Sequence, residues 1–569
     1  MFAFIREFVA INITFLFVVM PCRTEAQQLA NPLGFPLQLS GGFGDLRAGH
    51  YHAGLDFRTR SSEGHPLHAV LDGYISRVSV NPGGYGLAVY LTHPTDNVMT
   101  VYGHLQRFTP QMVEIVKAKQ YEKESFAVDI PFEPDFIPVK QGDIIGFSGN
   151  SGSSGGPHLH FEVRDLQTGE WIDPLIFYQS QIPDTQKPHI RGLKIYPIEG
   201  KGAVYGGNKI RDIPFRLAKN EQPVITETIE AWGEVGLSIR ATDLMDGTTF
   251  AYGVKDILMT VDSIELFRSR IDRFSPNESR YINSHTDYEE WSKSRSFYMK
   301  TFTDPGNNAR FIANRNAGKI TINEERVYSV VFTLTDLYGN TNHVRIPIQG
   351  KKQDITPMDT TGKRLLRWYD YNTFSAKGIR MAFQRNSLYN NLYLQYRVYN
   401  DDKYASPVHV LQASPVPFHY PAQLSLFTDS VFESLNEKQY GIVRITPANG
   451  RITWIGGKYR DGWFDAEVGE FGAYTVTCDT IPPVIMPLAP ATWHRAKKIN
   501  LRISDNLSGI ATYRGEIDGH FILFEFDSKN ALVTYTFDNE RLPHGYKSLK
   551  LTVVDRCGNQ SEYNYDFIK

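Results

Sequence analysis

The chain has 569 residues, too many for one hydrophobic core, and this length predicts three to four domains. Its formal net charge is −2, and the sequence has no basic stripe and no acidic tail. This charge pattern argues against nucleic acid as a partner but is compatible with both enzymes and binding modules. Aromatic residues make up 13% of the chain, and together with frequent glycine and proline they favour short strands joined by turns. We therefore expect an all-β, multidomain protein.

Residues 1–26 have the pattern of a secretory signal peptide. The mostly apolar run Phe8–Met20 follows Arg6 and precedes an approximate small-x-small cleavage site that ends at Ala26. An uncleaved N-terminal anchor is the alternative. No later stretch is apolar for long enough to form a membrane helix, so we expect an exported protein of the periplasm, cell envelope or medium, without a transmembrane span once the signal is removed.

Two cysteines remain after such a cleavage, Cys478 and Cys557. They could form one disulfide in an exported protein, and the sequence leaves open whether they pair. Two thiols cannot build a zinc site on their own. A catalytic metal would therefore depend on histidine, aspartate and glutamate.

Residues 27–182 are the first predicted domain, composed of short strands and glycine turns. Nine of the 16 histidines lie between His50 and His189, which places any histidine chemistry in this part of the chain. An insertion at about 106–138 contains a predicted helix that begins at Pro110, with Thr109 as its N-cap. This insertion could be a lid or a partner surface.

Three stretches of this domain carry histidine and acidic side chains at short, regular spacing. Residues two apart on an extended strand point to the same face, so each stretch aims its polar groups to one side. Three such strands imply a common polar centre. The residues are His50, His52 and Asp56 in GHYHAGLD (49–56), His104 in TVYGHL (100–105), and His158, His160 and Glu162 in GGPHLHFEV (155–163).

Together, HAGLD, VYGHL and GGPHLHFE resemble the signature elements of the lysostaphin/LytM-type zinc metallopeptidases, bacterial cell-wall endopeptidases with H-x-x-x-D and H-x-H motifs. The resemblance covers about residues 40–180, and it implies an antiparallel β-sheet peptidase domain with Zn²⁺ as cofactor. It implies His52, Asp56 and His160 as the zinc ligands. Three protein ligands leave a fourth tetrahedral position open, which is the catalytic arrangement.

The same resemblance implies that His158 is the general base. It implies that His104 is a second catalytic histidine, which orients water or steadies the oxyanion. His50 matches no position of the motif, and we expect it at the rim of the site or hydrogen-bonded behind it. Glu162 shares the face of His158 and His160, and we expect it to be a supporting or structural carboxylate.

The function implied is a zinc-dependent endopeptidase that hydrolyses peptide bonds in peptidoglycan cross-links or stem peptides. One alternative is a non-catalytic member of the family that scaffolds or activates other cell-wall hydrolases, although all five motif positions are intact here. Another is a metallopeptidase that acts on proteins outside the wall.

A weak repeat follows this domain and predicts two immunoglobulin-like β-sandwiches, at 183–351 and 479–569. The first would contain an insertion near 275–295, and a β-rich domain without a clear signature would fill 352–478. The sandwiches could hold a cell-envelope protein partner. The matched stretches are QKPHI (186–190) with IPPVI (481–485), IRATDLMDG (239–247) with LRISDNLSG (501–509), and VVFTLTDLYGN (330–340) with LKLTVVDRCGN (549–559).

Overall fold

The computed structural model confirms the predicted all-β, multidomain class, since strands make up 48% and helices 8% of it. The predicted signal peptide lies outside the described residues. No helix within the described ranges is long and apolar enough to cross a bilayer. The residues described are 28–134, 136–219, 222–428, 436–446 and 450–569.

The N-terminal segment, residues 28–182, is built around one large antiparallel sheet. Its strands are β1 (Leu39–Gly41), β2 (Leu46–Arg47), β3 (His50–Tyr51), β4 (Leu55–Arg58), β5 (Pro66–His68), β6 (Gly73–Val80), β7 (Leu87–His93), β8 (Val98–Leu105), β9 (Arg107–Phe108), β10 (Val128–Pro131), β11 (Pro138–Val139), β12 (Ile144–Phe147), β13 (His158–Asp165) and β14 (Trp171–Ile172). The large sheet follows the order β1-β4-β13-β8-β7-β6-β10, with β11 beside β6 and β14 beside β13. Strands β5, β12 and β9 form a smaller sheet, and β2 pairs with β3.

The helix predicted in the insertion is confirmed as α1 (Pro110–Glu122). Thr109 is its N-cap residue, and proline occupies the first turn, but the Thr109 side chain makes no capping hydrogen bond. Met112, Val116 and Gln120 are buried, and their spacing of four residues places them on one face of the helix. The insertion therefore packs as an ordered part of this segment.

The expectation that residues 50–56 form one extended strand is wrong. Strand β3 ends at Tyr51, and β4 begins at Leu55 in a different sheet. Gly54 lies between them, where the chain passes so close to β13 that a Cβ would lie 2.3 Å from the carbonyl oxygen of Phe161. This close approach interrupts the strand and lets only glycine occupy the position without displacement.

The second segment, residues 183–351, contains strands and a short helical stretch. Its strands are β15 (His189–Val204), β16 (Arg211–Asp212), β17 (Phe215–Leu217), β18 (Pro223–Ile225), β19 (Ile229–Thr242), β20 (Asp256–Val261), β21 (Ile264–Arg270), β22 (Arg273–Phe274), β23 (Met299–Lys300), β24 (Ile312–Asn314), β25 (Ile320–Ile322), β26 (Val327–Thr335) and β27 (Thr341–Gly350). Helices α2 (Pro276–Ser279), α3 (Ile282–His285) and α4 (Tyr288–Ser294) occupy the predicted insertion.

This insertion packs on the N-terminal segment instead of standing free. Strand β22 pairs with β14, and Phe274 and Ile282 belong to the same buried core as Phe57 and Phe161. Tyr51 donates its backbone N–H to the Ser279 hydroxyl at 3.1 Å. The second segment thus supports the strand that leads to His52.

The rest of the chain is two further groups of paired β-sheets. The third segment, residues 352–478, contains β28 (Arg364–Leu366), β29 (Asn372–Ala376), β30 (Ile379–Phe383), β31 (Leu392–Leu394), β32 (Tyr396–Tyr399), β33 (Val408–Leu411), β34 (Pro417–Phe427), β35 (Tyr440–Ile445), β36 (Ile452–Gly456), β37 (Lys458–Arg460), β38 (Trp463–Glu470) and β39 (Ala473–Cys478). The C-terminal segment, residues 479–569, contains β40 (Val484–Pro487), β41 (Lys498–Ser504), β42 (Ile510–Ile517), β43 (His520–Ile522), β44 (Glu525–Asp527), β45 (Leu532–Thr536), β46 (Tyr546–Asp555) and β47 (Gln560–Ile568).

The C-terminal segment has two four-stranded sheets, β40-β41-β45-β44 and β43-β42-β46-β47, that enclose one apolar core. Its description as immunoglobulin-like, and that of the second segment, stays a prediction, as do the domain boundaries. Cys478 and Cys557 are both free thiols.

Candidate metal centre

Three neighbouring strands of the large sheet carry the polar centre. In the antiparallel register, His160 of β13 lies opposite Asp56 of β4 on one side and Gly103 of β8 on the other. His104 follows Gly103 and has a φ of +62°, a left-handed conformation that is uncommon outside glycine. His52 reaches the centre from the link between β3 and β4.

The donor atoms of His52, Asp56 and His160 form a compact triangle. His52 Nε2 lies 3.1 Å from Asp56 Oδ1, His160 Nδ1 lies 3.0 Å from the same oxygen, and the two nitrogens are 3.0 Å apart. Both imidazoles are buried, and the Asp56 side chain is 14% exposed. The three atoms are thus close enough to hold a single cation.

The far nitrogens of both imidazoles are committed to other partners. His52 Nδ1 lies 2.7 Å from the Gly42 carbonyl oxygen, which can only accept, so this nitrogen carries the proton. His160 Nε2 lies 2.9 Å from Glu162 Oε1 and donates to that carboxylate. His52 Nε2 and His160 Nδ1 are therefore the nitrogens that face each other and Asp56, an arrangement that calls for a positive charge between them, supplied by a proton on His160 Nδ1 or by a metal ion.

The electrostatics of the triangle favour positive charge. Although burial opposes it, the hydrogen bonds to Asp56 and Glu162 raise the pKa of His160 to about 9. Burial also opposes ionisation of Asp56, but the neighbouring histidines hold the pKa of its carboxyl well below the usual range. Two imidazole nitrogens and one carboxylate oxygen are a known zinc-binding set, with bonds of about 2.0–2.2 Å, so the residues fit this metal.

Glu162 is a fully buried carboxylate that supports the His160 ring. Besides His160, it accepts hydrogen bonds from the Tyr85 hydroxyl at 2.5 Å, the Trp171 indole at 2.9 Å and the Arg164 guanidinium at 2.7 Å. Burial raises its pKa, but the His160 hydrogen bond and the Arg164 charge outweigh this effect and lower the pKa to about 2. Glu162 thus stays ionised and fixes the ring orientation.

His158 and His104 lie beside the triangle and have matching tautomers. His158 Nδ1 lies 2.8 Å from the Gly156 carbonyl oxygen, and its Nε2 is 3.4 Å from Asp56 Oδ1. His104 Nδ1 lies 2.9 Å from the Ser151 carbonyl oxygen. Each Nδ1 therefore donates, and each Nε2 carries a lone pair. Burial, followed by the neighbouring His160 and His158, lowers the pKa of His104 to about 3.

Sequence reasoning missed several neighbours of the site. Arg47 places Nη2 3.6 Å from Asp56 Oδ2, opposite the oxygen that faces the histidines. Tyr85 and Trp171 hold Glu162, as described above. Of these, only Tyr85 had a visible signal, since it stands between glycines in the GGYG turn.

A groove of about 780 Å³ runs beside the site. Its lining includes His50, Tyr85 and Trp171 of the N-terminal segment, together with Arg280 of the second segment and Arg444 of the third. His50 is exposed, and its Nδ1 lies 3.1 Å from the Ala48 carbonyl oxygen. It therefore stands in the groove, outside the triangle.

Parts of the chain match two protein families and several curated proteins. Residues 50–121 match the family model for Peptidase family M23, and residues 363–479 match the one for the Zu5-like domain. The chain is 36% identical over 124 residues to an uncharacterized metalloprotease of Haemophilus influenzae, covering 22% of this chain and 20% of the relative. It is 32% identical over 130 residues to the DD-carboxypeptidase/endopeptidase Mpg of Neisseria meningitidis, covering 23% of each.

The chain thus spans less than a quarter of the length of these curated relatives. Among solved structures, the catalytic domain of lysostaphin from Staphylococcus simulans is 25% identical. That likeness covers 25% of this chain and 92% of the lysostaphin domain, with a TM-score of 0.19. The match of residues 50–121 to family M23 and the similarity to the two curated relatives agree with the resemblance of the motifs to the lysostaphin/LytM-type enzymes.

Proposed function

We propose that this chain is a zinc-dependent endopeptidase of the bacterial cell envelope that hydrolyses peptide bonds in peptidoglycan cross-links or stem peptides. The observation that carries the proposal is the triangle of His52 Nε2, Asp56 Oδ1 and His160 Nδ1, with both far nitrogens already hydrogen-bonded. His52 and Asp56 lie within the residues that match family M23. The substrate class is supported by the motif resemblance and by the name of the Neisseria relative, a DD-carboxypeptidase/endopeptidase.

His52, Asp56 and His160 would hold the zinc. When bound, zinc acts as a Lewis acid and makes water acidic enough to ionise near neutral pH. The protein fixes the ligands through Gly42 and Glu162, so little rearrangement accompanies metal binding.

His158 is placed to act as the general base. Its Nδ1 donates to the Gly156 carbonyl, so Nε2, which lies 3.4 Å from Asp56 Oδ1, is the nitrogen that would accept a proton from the attacking water. The same nitrogen then returns the proton to the leaving amine of the cleaved peptide bond.

His104 has the geometry of a hydrogen-bond acceptor. Its Nδ1 donates to Ser151, and its low pKa keeps the ring neutral, so Nε2 offers a lone pair and no proton. Of the two roles that the motif resemblance implies, orienting water therefore fits better than donating to an oxyanion. The water would be held between His104 and His158, whose ring centroids are 4.8 Å apart.

The groove is a suitable place for an extended peptide. Tyr85 lines it and also contacts Glu162, so one residue connects the groove wall to the support of the metal site. Arg280, Arg444 and Glu470 supply charged groups in the lining of the groove, where carboxylates and amines of stem peptides could bind.

The test is digestion of purified muropeptides by residues 27–569, with products identified by mass spectrometry. We expect cleavage that a chelator abolishes and zinc restores. His158→Ala should keep its zinc but lose activity by a factor on the order of 10²–10⁴. His65→Ala, which changes a histidine that hydrogen-bonds Ser62 outside the site, is the matched control and should stay active.

Two other outcomes would contradict the proposal. Absence of cleavage with every metal tested would favour the non-catalytic scaffold. Cleavage of casein without cleavage of muropeptides would favour a peptidase that acts on proteins outside the wall.

A further inference from the structure

The two repeated segments share a feature that the peptidase chemistry does not use. Each brings three aspartates together, with one ligand oxygen from each within 4.8 Å of the others. The alignment of the repeat places the members in corresponding positions. The first trio is Asp184, Asp243 and Asp336, and the second trio is Asp479, Asp505 and Asp555.

The first trio is buried and lacks charge compensation. Asp184, Asp243 and Asp336 are 7%, 8% and 6% exposed. Among the ion pairs between described residues, none joins a lysine, arginine or histidine to any of them. Burial, and then the nearby carboxylates of Asp336 and Asp184, raise the pKa of Asp243 to about 8.

Two carboxylate oxygens of this trio have no hydrogen-bond donor among the described residues: Asp184 Oδ2 and Asp243 Oδ1. Three other oxygens of the trio do have hydrogen-bond donors. Asp184 Oδ1 accepts from two backbone N–H groups, and both Asp336 oxygens accept from Asn340. A buried acceptor without a donor is costly, so unpaired oxygens in a cluster of three carboxylates indicate a cation site.

The second trio repeats part of this construction, although here both Asp479 oxygens accept backbone N–H groups, from Ile481 and Ser508. Asp555 accepts from Asn559 at both oxygens, and Asn559 Nδ2 donates to the Asp479 carbonyl at 2.9 Å. In the first trio, Asn340 makes the equivalent bond to the Asp184 carbonyl at 3.3 Å. Asp505 is half-buried, but its Oδ1 atom, like Asp243 Oδ1, is shielded from solvent and lacks a donor among the described residues.

We propose that each trio binds one calcium ion. The donor set contains only carboxylate oxygens, with no histidine or cysteine, and hard oxygen ligands of this kind select Ca²⁺ or Mg²⁺ over zinc. Calcium is the better match, because it accepts irregular geometry and can complete its shell with backbone carbonyls and water, whereas Mg²⁺ demands a regular octahedron.

The position of each trio gives the ion a structural role. Asp184 stands where the chain leaves the N-terminal segment, and Asp479 follows directly after β39 of the third segment. The other two members of each trio lie at the ends of strands within the following segment. A bound ion would therefore cross-link each repeated segment to the residues at its N-terminal boundary. It would also make both junctions more rigid.

The test is calorimetric titration of CaCl₂ into the full, zinc-loaded chain after removal of calcium on a chelating resin. We expect two calcium ions per chain, one in Asp243→Asn, one in Asp505→Asn and none in the double variant. Asp246→Asn, an exposed aspartate of the same turn as Asp243, should still bind two. Calcium should also raise the midpoint of thermal unfolding of the wild type but not of the double variant.

The wild-type titration stands even if a variant fails to fold. No calcium uptake by the wild type would overturn the proposal. Unchanged stoichiometry in a folded double variant would overturn it as well, since the ions would then be bound elsewhere.

Discussion

Glu162 shows how much of the site depends on a residue that never faces the substrate. Its carboxylate is completely buried and satisfied by four side chains, and one of these bonds orients His160. A buried charge of this kind persists only because its donors compensate the loss of water. The network therefore fixes the orientation of the His160 ring through the nitrogen that faces away from the metal site.

Glu162→Gln should weaken zinc binding by about 10–100-fold, the usual cost of losing the group behind a ligating histidine. An amide has one acceptor oxygen, so it cannot serve all the donors around it, and its NH₂ group faces Arg164. The measurement is competition with a chromophoric chelator. Glu170→Gln, which changes another buried glutamate of the N-terminal segment, is the control. Equal zinc affinity in both variants would contradict this role.

At this scale the motif resemblance predicted which histidines and which aspartate come together, whereas strand spacing alone would also have included His50. It could not predict Arg47 or Trp171, which reach the site from other strands. It also could not choose between the two roles of His104. That choice depends on the Ser151 carbonyl, 47 residues away along the chain.

Among the elements, the link between β3 and β4 matters most, because it brings His52 and Asp56 to the same point. If this stretch formed a regular strand, its conformation could have been predicted from the local sequence alone. The break occurs because Gly54 presses against the backbone of β13, a contact that spacing within the stretch does not reveal. By contrast, helix α1 was predictable, since Pro110 and the buried spacing along it are local signals.

Gly54→Ala should destabilise the protein by roughly 1–3 kcal/mol and lower its zinc content, because the new methyl group must push β4 away from β13. Thermal unfolding and metal analysis of the purified variant measure both effects. Gly155→Ala is the control, since a Cβ at Gly155 meets no atom within 4 Å. A Gly54→Ala protein as stable as the control would show that β4 tolerates the shift.

Across the whole molecule, the C-terminal segment packs back on the N-terminal one. Lys117 of α1 pairs with Asp538 at 2.7 Å, and Arg514 pairs with Glu124 at 2.5 Å. Lys529 donates to the Asn150 carbonyl, near the loop that leads to His158. The insertion that the sequence left open as a lid or partner surface thus contacts the chain's own last segment.

Reversing the charges of Lys117 and Arg514 to glutamate should release this contact. The new carboxylates would face Asp538 and Glu124, so amide hydrogen exchange should become faster in α1 and in residues 525–545. Exposed ion pairs are weak singly, which is why both are changed. Lys119→Glu with Lys550→Glu, whose partners lie in their own segments, is the matched control. Unchanged exchange would mean that these two ion pairs do not hold the segments together.

The most direct test of the whole account is the zinc content of His52→Ala and His50→Ala, measured by elemental analysis of the purified chain. The two histidines are neighbours in sequence, but only His52 belongs to the triangle, while His50 stands in the groove. We predict about one zinc per chain in the wild type and in His50→Ala, and none in His52→Ala. Zinc retained by His52→Ala, or lost from His50→Ala, would contradict the account.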